Sequence, residues 1–250
     1  MSSPVKGEPD LPPSPSTRPV RTVELAPGLH HLDLGISNAY VWLTTHGATL
    51  VDCGPPGSAD GIRDALQHLG VSAQRLSTIV LTHFHDDHMG SAMELARWSG
   101  AEVVAGADDA PFIRGDQPGP EPRFTPSERE LHTVIAQGLR PAPSCRVDRE
   151  VREGDILDVG EPLTVLEVPG HTPGSIALHA PKSGVLLTGD LIAEHDGRIV
   201  LGPFNTNRSQ AWQSLVRLVG LAPEIAGFGH GQPIVESARS SLALAEDAFA

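Results

Sequence analysis

The chain has 250 residues, of which 39% are hydrophobic, so it can bury a core and most of its length is expected to fold. It carries 18 basic and 31 acidic residues, and the resulting net charge of −13 repels phosphate backbones and argues against a nucleic-acid partner. The chain has two cysteines, no apolar run near the roughly 20 residues of a membrane span and no apolar core of a signal peptide. These features predict a soluble cytoplasmic protein without membrane contact.

The N-terminal part of the chain divides into a tail and a β-rich region. Residues 1–21 contain six prolines and four serines, which predicts a disordered tail. Short β-rich runs follow at 22–34, 39–45 and 48–51, with Gly47 at the turn between the last two. Apolar residues on one helical face then predict a helix over 58–69.

The middle of the chain combines a buried strand with an irregular segment. A near-continuous apolar run at 76–82 is typical of a buried strand, and a helix at 89–98 and a strand at 101–104 follow it. Residues 106–150 are Pro-rich and charged, with one predicted helix at 127–137. A segment of this length within a compact domain indicates a lid or a substrate-facing insertion.

The second half repeats the pattern of strand runs followed by helices. Strands are predicted at 156–159, 163–168, 175–179, 185–188 and 225–228, and helices at 210–220 and 236–249. This order predicts an α/β domain over residues 22–250, in which two sheets pack face to face with helices outside.

The residues that carry chemistry concentrate in His83-Phe84-His85-Asp86-Asp87-His88. In an extended stretch His83 and His85 project to the same side, and Asp87 and His88 follow where the chain turns into a helix. Imidazoles and a carboxylate that converge at a strand end favour a borderline-soft divalent metal. A solvated polar loop is the alternative, which the cost of packing four such groups without a partner disfavours.

Three later residues have the same placement at the end of an apolar strand beside glycine. They are His171 in Pro169-Gly170-His171, Asp190 in Thr188-Gly189-Asp190, and His230 in Gly229-His230-Gly231. Loops held by strand ends are the usual way in which a rigid scaffold presents a site. We therefore expect these three side chains to join the clustered histidines.

The order His-x-His-x-Asp-His, Gly-His, Gly-Asp and Gly-His resembles the metallo-β-lactamase superfamily over residues 22–250. The resemblance implies a four-layer αββα sandwich with the metal site at one edge of the two packed sheets. It also implies a first ion held by His83, His85 and His171, a second held by Asp87, His88 and His230, and Asp190 as the bridge between them. Two divalent ions are expected, with Zn²⁺ as the preferred metal and Fe or Mn as alternatives.

The same resemblance implies a hydrolase acting on a small-molecule substrate. A hydroxide that bridges the ions would attack the substrate carbonyl, with Asp87 and Asp190 as the catalytic carboxylates. Asp87 would orient the hydroxide and pass a proton to the leaving group. Asp52 lies where family members carry an acidic residue, which implies that it accepts a ligand imidazole N–H; an ordinary turn carboxylate is the alternative.

Departures from the family pattern reduce the number of substrate classes that the resemblance allows. After His230 the chain has one basic residue, Arg239, and no tyrosine or lysine, which disfavours glutathione as part of the substrate. Residues 191–210 lack the tyrosine of acyl-homoserine lactonases, and Asp190 disfavours β-lactam hydrolysis. Since no firm general acid is evident beyond Asp87, an ester, thioester or lactone is favoured over an amide.

Two alternatives stay open at this point. One is a mononuclear iron oxygenase like the persulfide dioxygenases of the superfamily, and the other is a metal-bound sensor or scaffold without turnover. Neither the substrate-binding residues nor the oligomeric state follows from the sequence.

Overall fold

The computed structural model describes residues 19–135 and 138–250. Most of the predicted tail, residues 1–18, lies outside this range. The first strand begins at Arg21, one residue before the predicted start of the domain.

The first sheet contains seven strands in chain order. They are β1 (Arg21–Ala26), β2 (Leu29–Asp33), β3 (Asn38–Leu43), β4 (Ala48–Val51), β5 (Leu76–Leu81), β6 (Glu102–Gly106) and β7 (Arg149–Val151). Neighbours from β1 to β4 are antiparallel, and those from β4 to β7 are parallel. The predicted turn at Gly47 is confirmed, because β3 and β4 pair as a hairpin in which Thr44 N donates to Gly47 O.

The second half of the chain forms a five-stranded sheet and a separate hairpin. The strands are β8 (Ile156–Asp158), β9 (Pro162–Glu167), β10 (Ile176–Ala180), β11 (Val185–Leu187), β12 (Ile192–His195), β13 (Arg198–Leu201) and β14 (Ile225–Gly227). The sheet order is β14-β11-β10-β9-β8, with only the β11–β14 pair parallel. Strands β12 and β13 form the hairpin, which the sequence analysis missed.

Seven helices complete the described part of the fold. They are α1 (Ala59–His68), α2 (Asp86–Met89), α3 (Ala92–Ser99), α4 (Ala110–Arg114), α5 (Pro126–Ile135), α6 (Arg208–Val219) and α7 (Ala238–Leu242). None of these helices has the length and apolar character needed to cross a bilayer.

Alternate side chains of single strands enter different hydrophobic cores, and this reveals the order of the layers. In β5, Ile79 belongs to a buried cluster with residues of α1 and α3, whereas Val80 belongs to the cluster between the two sheets. In β11, Leu187 lies in that same intersheet cluster, and Leu186 lies in a third cluster with residues of α6 and α7. The predicted αββα sandwich is therefore confirmed.

The insertion at 106–150 is more structured than predicted. Its predicted helix is α5, which ends at Ile135; Gln137, the predicted end, lies outside the described residues. Two further elements, α4 and β7, occupy its ends. The segment therefore contacts the first sheet directly through β7, which pairs with β6.

The predicted helix over 236–249 is wrong beyond Leu242, where α7 ends. Glu246 N donates to Ile199 O and Leu201 N donates to Glu246 O, so the chain leaves the helix to pair with β13. Tertiary hydrogen bonding outweighs the local helical propensity of this Ala- and Leu-rich stretch. The helix predicted at 89–98 begins later, at Ala92, because Met89 closes the short α2.

Candidate metal centre

The candidate site lies where strand ends of both sheets meet. Strands β4, β5 and β6 are parallel, so their carboxyl ends share one edge of the first sheet. Strands β9, β11 and β14 run in one common direction in the second sheet. The residues that follow these ends are Asp52, His83 and Asp109 in the first sheet and His171, Asp190 and His230 in the second.

Two groups of side chains could each hold a metal ion, and the first, called the first ligand group, consists of His83, His85, His171 and Asp190. One metal-capable atom from each lies within 4.8 Å of the others. Burial lowers the pKa of all three imidazoles, that of His171 to about 3. These rings are therefore neutral near pH 7, which is the form that binds a metal.

The second ligand group consists of Asp87, His88 and His230, again with one atom of each within 4.8 Å of the others. Burial lowers the pKa of His230, but the Asp190 and Asp87 carboxylates outweigh it and raise the pKa to about 10. Burial also opposes protonation of His88, yet the same two carboxylates raise its pKa well above its usual range. Without a cation, protons on these two rings balance the carboxylates.

Asp190 stands between the two groups. Its Oδ1 lies 3.1 Å from His88 Nε2, and its Oδ2 lies 3.0 Å from His230 Nε2. The same Oδ2 is 3.8 Å from His83 Nε2 and 3.7 Å from His171 Nε2. Although burial favours its neutral form, the surrounding imidazoles hold the pKa of this carboxyl well below its usual range.

Several features of the described residues fit a bound cation. His83 Nε2 is buried without a hydrogen-bond partner among them. Two pairs of ring nitrogens face each other, at 3.0 Å between His85 Nδ1 and His171 Nε2 and at 3.3 Å between the Nε2 atoms of His88 and His230. Ring nitrogens that converge in this way can act together as ligands of one cation.

Asp52 supports two of the histidines. Its Oδ2 accepts from His88 Nδ1 at 3.1 Å, which leaves His88 Nε2 as the atom directed at the site. Thr82 Oγ1 donates to the same Oδ2 at 2.8 Å and lies 3.0 Å from His83 Nδ1. The Asp52 carboxylate therefore orients His88 directly and His83 through Thr82.

Asp109 joins the loops that carry His85 and His171. This carboxylate is fully buried and accepts from Phe84 N at 3.1 Å, Gly174 N at 2.6 Å and Thr172 Oγ1 at 2.6 Å. Burial outweighs these hydrogen bonds and raises the pKa of Asp109 to about 6. The side chain thus cross-links one ligand loop from each sheet.

The loop after β14 is fixed by the first sheet. His230 Nδ1 donates to Ile36 O at 2.8 Å, so its Nε2 faces the site. Asn38 donates to Phe228 O and Gly231 O, and the buried Tyr40 hydroxyl donates to Phe228 O at 2.8 Å. The single tyrosine of the chain is therefore committed to this structural contact.

The structure brings together all eight residues singled out in the sequence, including Asp52. Sequence reasoning missed Thr82 and Asp109. Thr82 gave no signal beyond its position before His83. Asp109 follows the apolar strand β6 and could have been found by the strand-end argument applied to Asp190.

The sequence profile of the metallo-beta-lactamase superfamily matches residues 32–230. The "Probable metallo-hydrolase YflN" of Bacillus subtilis (strain 168) is 30% identical over 252 residues, covering 92% of this chain and 94% of that protein. A hydroxyacylglutathione hydrolase of Fuscovulum blasticum is 34% identical over 161 residues, covering 64% of this chain but only 49% of the relative.

A solved structure shares the fold. A metallo-beta-lactamase family protein from Thermus thermophilus superimposes with a TM-score of 0.67 at 24% identity, covering 88% of this chain and 78% of that one. At this identity the likeness concerns the fold alone.

Proposed function

Because the chain belongs to the metallo-beta-lactamase superfamily, we propose that it is a hydrolase that binds two divalent ions and cleaves an ester, a thioester or a lactone. The position of Asp190 carries this proposal. One of its oxygens faces His88 and the other faces His230, His83 and His171. A carboxylate shared in this way can offset the repulsion between two neighbouring dications.

The donor set favours Zn²⁺, with Fe or Mn as alternatives. The first ligand group would hold one ion and the second ligand group the other, with Asp190 common to both. Bound there, the ions would lower the pKa of water toward about 7 and polarise the substrate carbonyl.

Asp87 is the carboxylate proposed to handle the proton. Its side chain is 16% exposed, compared with 9% for Asp190, and its Oδ2 lies 3.2 Å from His230 Nε2. Burial raises its pKa, but His88 and His230 outweigh burial and hold it below the usual range, so the group is ionised at neutral pH. The Asp87 carboxylate can orient a nucleophile and accept the proton of that nucleophile, but because it is ionised it is a poor proton donor to a leaving group.

This acid–base character favours leaving groups that need little protonation. A thiolate or an alkoxide departs readily, whereas an amide nitrogen requires a firm general acid. Tyr40 and Asp109 are both committed to hydrogen bonds behind the site. The similarity to hydroxyacylglutathione hydrolases supports thioester chemistry; the chain spans about half of those relatives, and glutathione is not part of the proposal.

The test is elemental analysis combined with turnover of activated ester, thioester and lactone substrates. We expect close to two divalent ions per chain and turnover above that of free metal. Asp87→Asn should remain folded by circular dichroism and lose at least about a hundredfold in kcat, since positioned proton transfer contributes that much.

Two outcomes would overturn the proposal. Iron near one equivalent per chain would favour the oxygenase, and a fully metal-loaded chain without turnover on any substrate would favour the sensor or scaffold. An unchanged kcat in folded Asp87→Asn would refute the role of that residue.

A further inference from the structure

The loop 202–207 borders the candidate metal centre. At its start, Gly202 N donates to Leu191 O at 3.0 Å, directly after Asp190. Near its end, Thr206 N donates to His171 O at 3.1 Å. The loop is therefore held next to Asp190 at one end and next to His171 at the other, and Phe204 lies in its middle.

Phe204 has an unusual backbone conformation. Its φ angle is +65°, in the left-handed region that is strained for a bulky residue. Strain of this kind persists only where the surroundings determine it. Here Phe204 N donates to Glu128 Oε1 at 3.0 Å, and Arg123 N donates to Asn205 O at 2.9 Å. Both partners belong to the insertion at 106–150.

Glu128 is the residue that fastens the insertion to this loop. It is fully buried, and with Thr125 it forms a capping box at the start of α5, in which Thr125 N donates to Glu128 Oε2 and Glu128 N donates to Thr125 Oγ1. Its Oε1 also accepts from Arg208 at 2.6 Å. Arg208 in turn pairs with Asp247, so the C-terminal segment joins the network.

The side chains at this junction are aromatic. The ring of Phe204 lies 5.8 Å from that of Phe124 and 5.4 Å from that of His132, and these two rings are 4.8 Å apart. A second aromatic contact, separate from these three rings, lies beside His85 of the first ligand group. There Phe84 lies 4.9 Å from His85 and 5.1 Å from Phe112, in edge-on geometry.

We propose that the rings of Phe124, His132 and Phe204 form an aromatic wall that binds an apolar acyl group of the substrate, and that Glu128 is its positioning residue. The inference rests on the proposed hydrolase function and names its substrate class. The loop that carries Phe204 borders the first ligand group, whereas Asp87, proposed to relay the proton of the nucleophile, belongs to the second. The acyl substituent therefore lies toward the wall, and esters or thioesters with large apolar acyl groups are the preferred substrates.

The experiment compares acetyl and phenylacetyl thioesters of one thiol, with the released thiol measured by a chromogenic disulfide. Wild type should prefer the phenylacetyl thioester in kcat/KM by roughly tenfold or more, the scale of discrimination by apolar pockets. Phe204→Ala should lower that preference about tenfold. Trp212→Ala, which removes an exposed aromatic ring of α6 outside the wall, should leave it unchanged.

Glu128→Gln keeps the shape of the side chain and removes its charge. It should raise KM for the phenylacetyl thioester several-fold with little change in kcat, and speed amide hydrogen exchange over residues 123–135. Metal content should equal that of wild type. Equal losses on both thioesters together with lost metal would instead make Glu128 a support of the ligand loops and overturn its role.

An unchanged preference in Phe204→Ala would overturn the wall while leaving the hydrolase intact. If wild type turns over neither these thioesters nor the activated esters and lactones, the hydrolase proposal fails, and calorimetry with phenylacetate and acetate then decides about the wall. Tighter binding of phenylacetate that is lost in Phe204→Ala would support it, and equal binding of the two acids would overturn it.

Discussion

Replacement of Asp52 by asparagine tests how the histidine ligands are oriented. The wild-type carboxylate accepts three hydrogen bonds, from Thr82 N at 2.8 Å, Thr82 Oγ1 at 2.8 Å and His88 Nδ1 at 3.1 Å. An asparagine of the same shape has only one oxygen. If that oxygen faces Thr82 N, the amide NH₂ takes the place of Oδ2 and faces His88 Nδ1.

The amide then donates where the carboxylate accepted. His88 Nδ1 must become the acceptor, so its proton moves to Nε2, the atom directed at Asp190 and at the site. The opposite amide orientation sets two donors, the NH₂ group and Thr82 N, against each other. The first arrangement removes His88 as a correctly oriented ligand, and the second leaves Thr82 N, next to His83, without its acceptor.

Loss of such a supporting partner costs about 10–100-fold in metal affinity, or about 1.4–2.7 kcal/mol. Asp52 orients His88 directly and His83 through Thr82, so we expect the upper end of this range. Competition titration with a chromogenic chelator measures the affinity. Asp158→Asn is the matched control, because among the described residues that exposed carboxylate accepts only a turn N–H from Gly160.

Asp52→Asn should stay folded, since its volume is unchanged and one hydrogen bond to Thr82 is retained. An affinity within about twofold of wild type, in a variant with native circular dichroism, would refute the tautomer argument. Loss of the fold would be visible in the same spectra, and Asp52→Glu would then separate loss of charge from loss of position.

Three further predictions concern the same centre. Gly229→Ala should weaken metal binding at least tenfold, because a Cβ at position 229 would overlap Asp190 Oδ1. Gly220→Ala is the control and should bind metal like wild type, since the closest atom to a Cβ at position 220 is a carbonyl oxygen at 3.2 Å. Chelator titration of both variants measures the difference. Metal binding at pH 7 should release about two protons from the second ligand group, measured by calorimetry in buffers of different ionisation enthalpy, and release of none would contradict the raised pKa values. Burial raises the pKa of Asp109 from 3.8 to about 6, so the folded chain holds the proton of this carboxyl more tightly than the unfolded chain does. The protonated carboxyl therefore contributes to stability below pH 4, and this contribution is lost as the pH rises through 6. The unfolding free energy of the metal-free wild type relative to Asp109→Asn should therefore fall by on the order of 3 kcal/mol between pH 4 and pH 7 in urea titrations, and a constant difference would show that Asp109 does not titrate in this window.

Four of the candidate ligand side chains could be located from the sequence because each follows an apolar strand. Parallel strands place such residues at one edge of a sheet, and this rule needs no knowledge of which strands pair. It accounts for His83, His171, Asp190 and His230. It also applies to the pair Asp108 and Asp109 after β6, although it does not say which of the two is buried. The structure separates them, since Asp109 is buried between the ligand loops and Asp108 is exposed and pairs with Arg152 at 3.4 Å.

Cross-links between distant segments could not be predicted in this way. The contact of Glu128 with Phe204 and Arg208 joins residues about 80 positions apart, and no periodicity within either segment encodes it. What the sequence does contain is the local capping box of Thr125 and Glu128, which marks the start of a helix. The Glu128 carboxylate both caps α5 and bonds to Phe204 and Arg208. The sequence pattern indicates the first of these roles and gives no sign of the second.

The C-terminal segment shows the same conflict between local and tertiary information. Its Ala and Leu content favours a helix, yet Glu246 pairs with β13 and the chain continues outside α7. This departure has a consequence for the site. It lets Asp247 meet Arg208, and Phe249 O accept from Thr125 Oγ1 at 2.7 Å, so that the C-terminal segment braces α5. A helix continued to residue 249 would lose the β13 pairing that places this segment, and Glu128 would then be the only carboxylate bonded to Arg208.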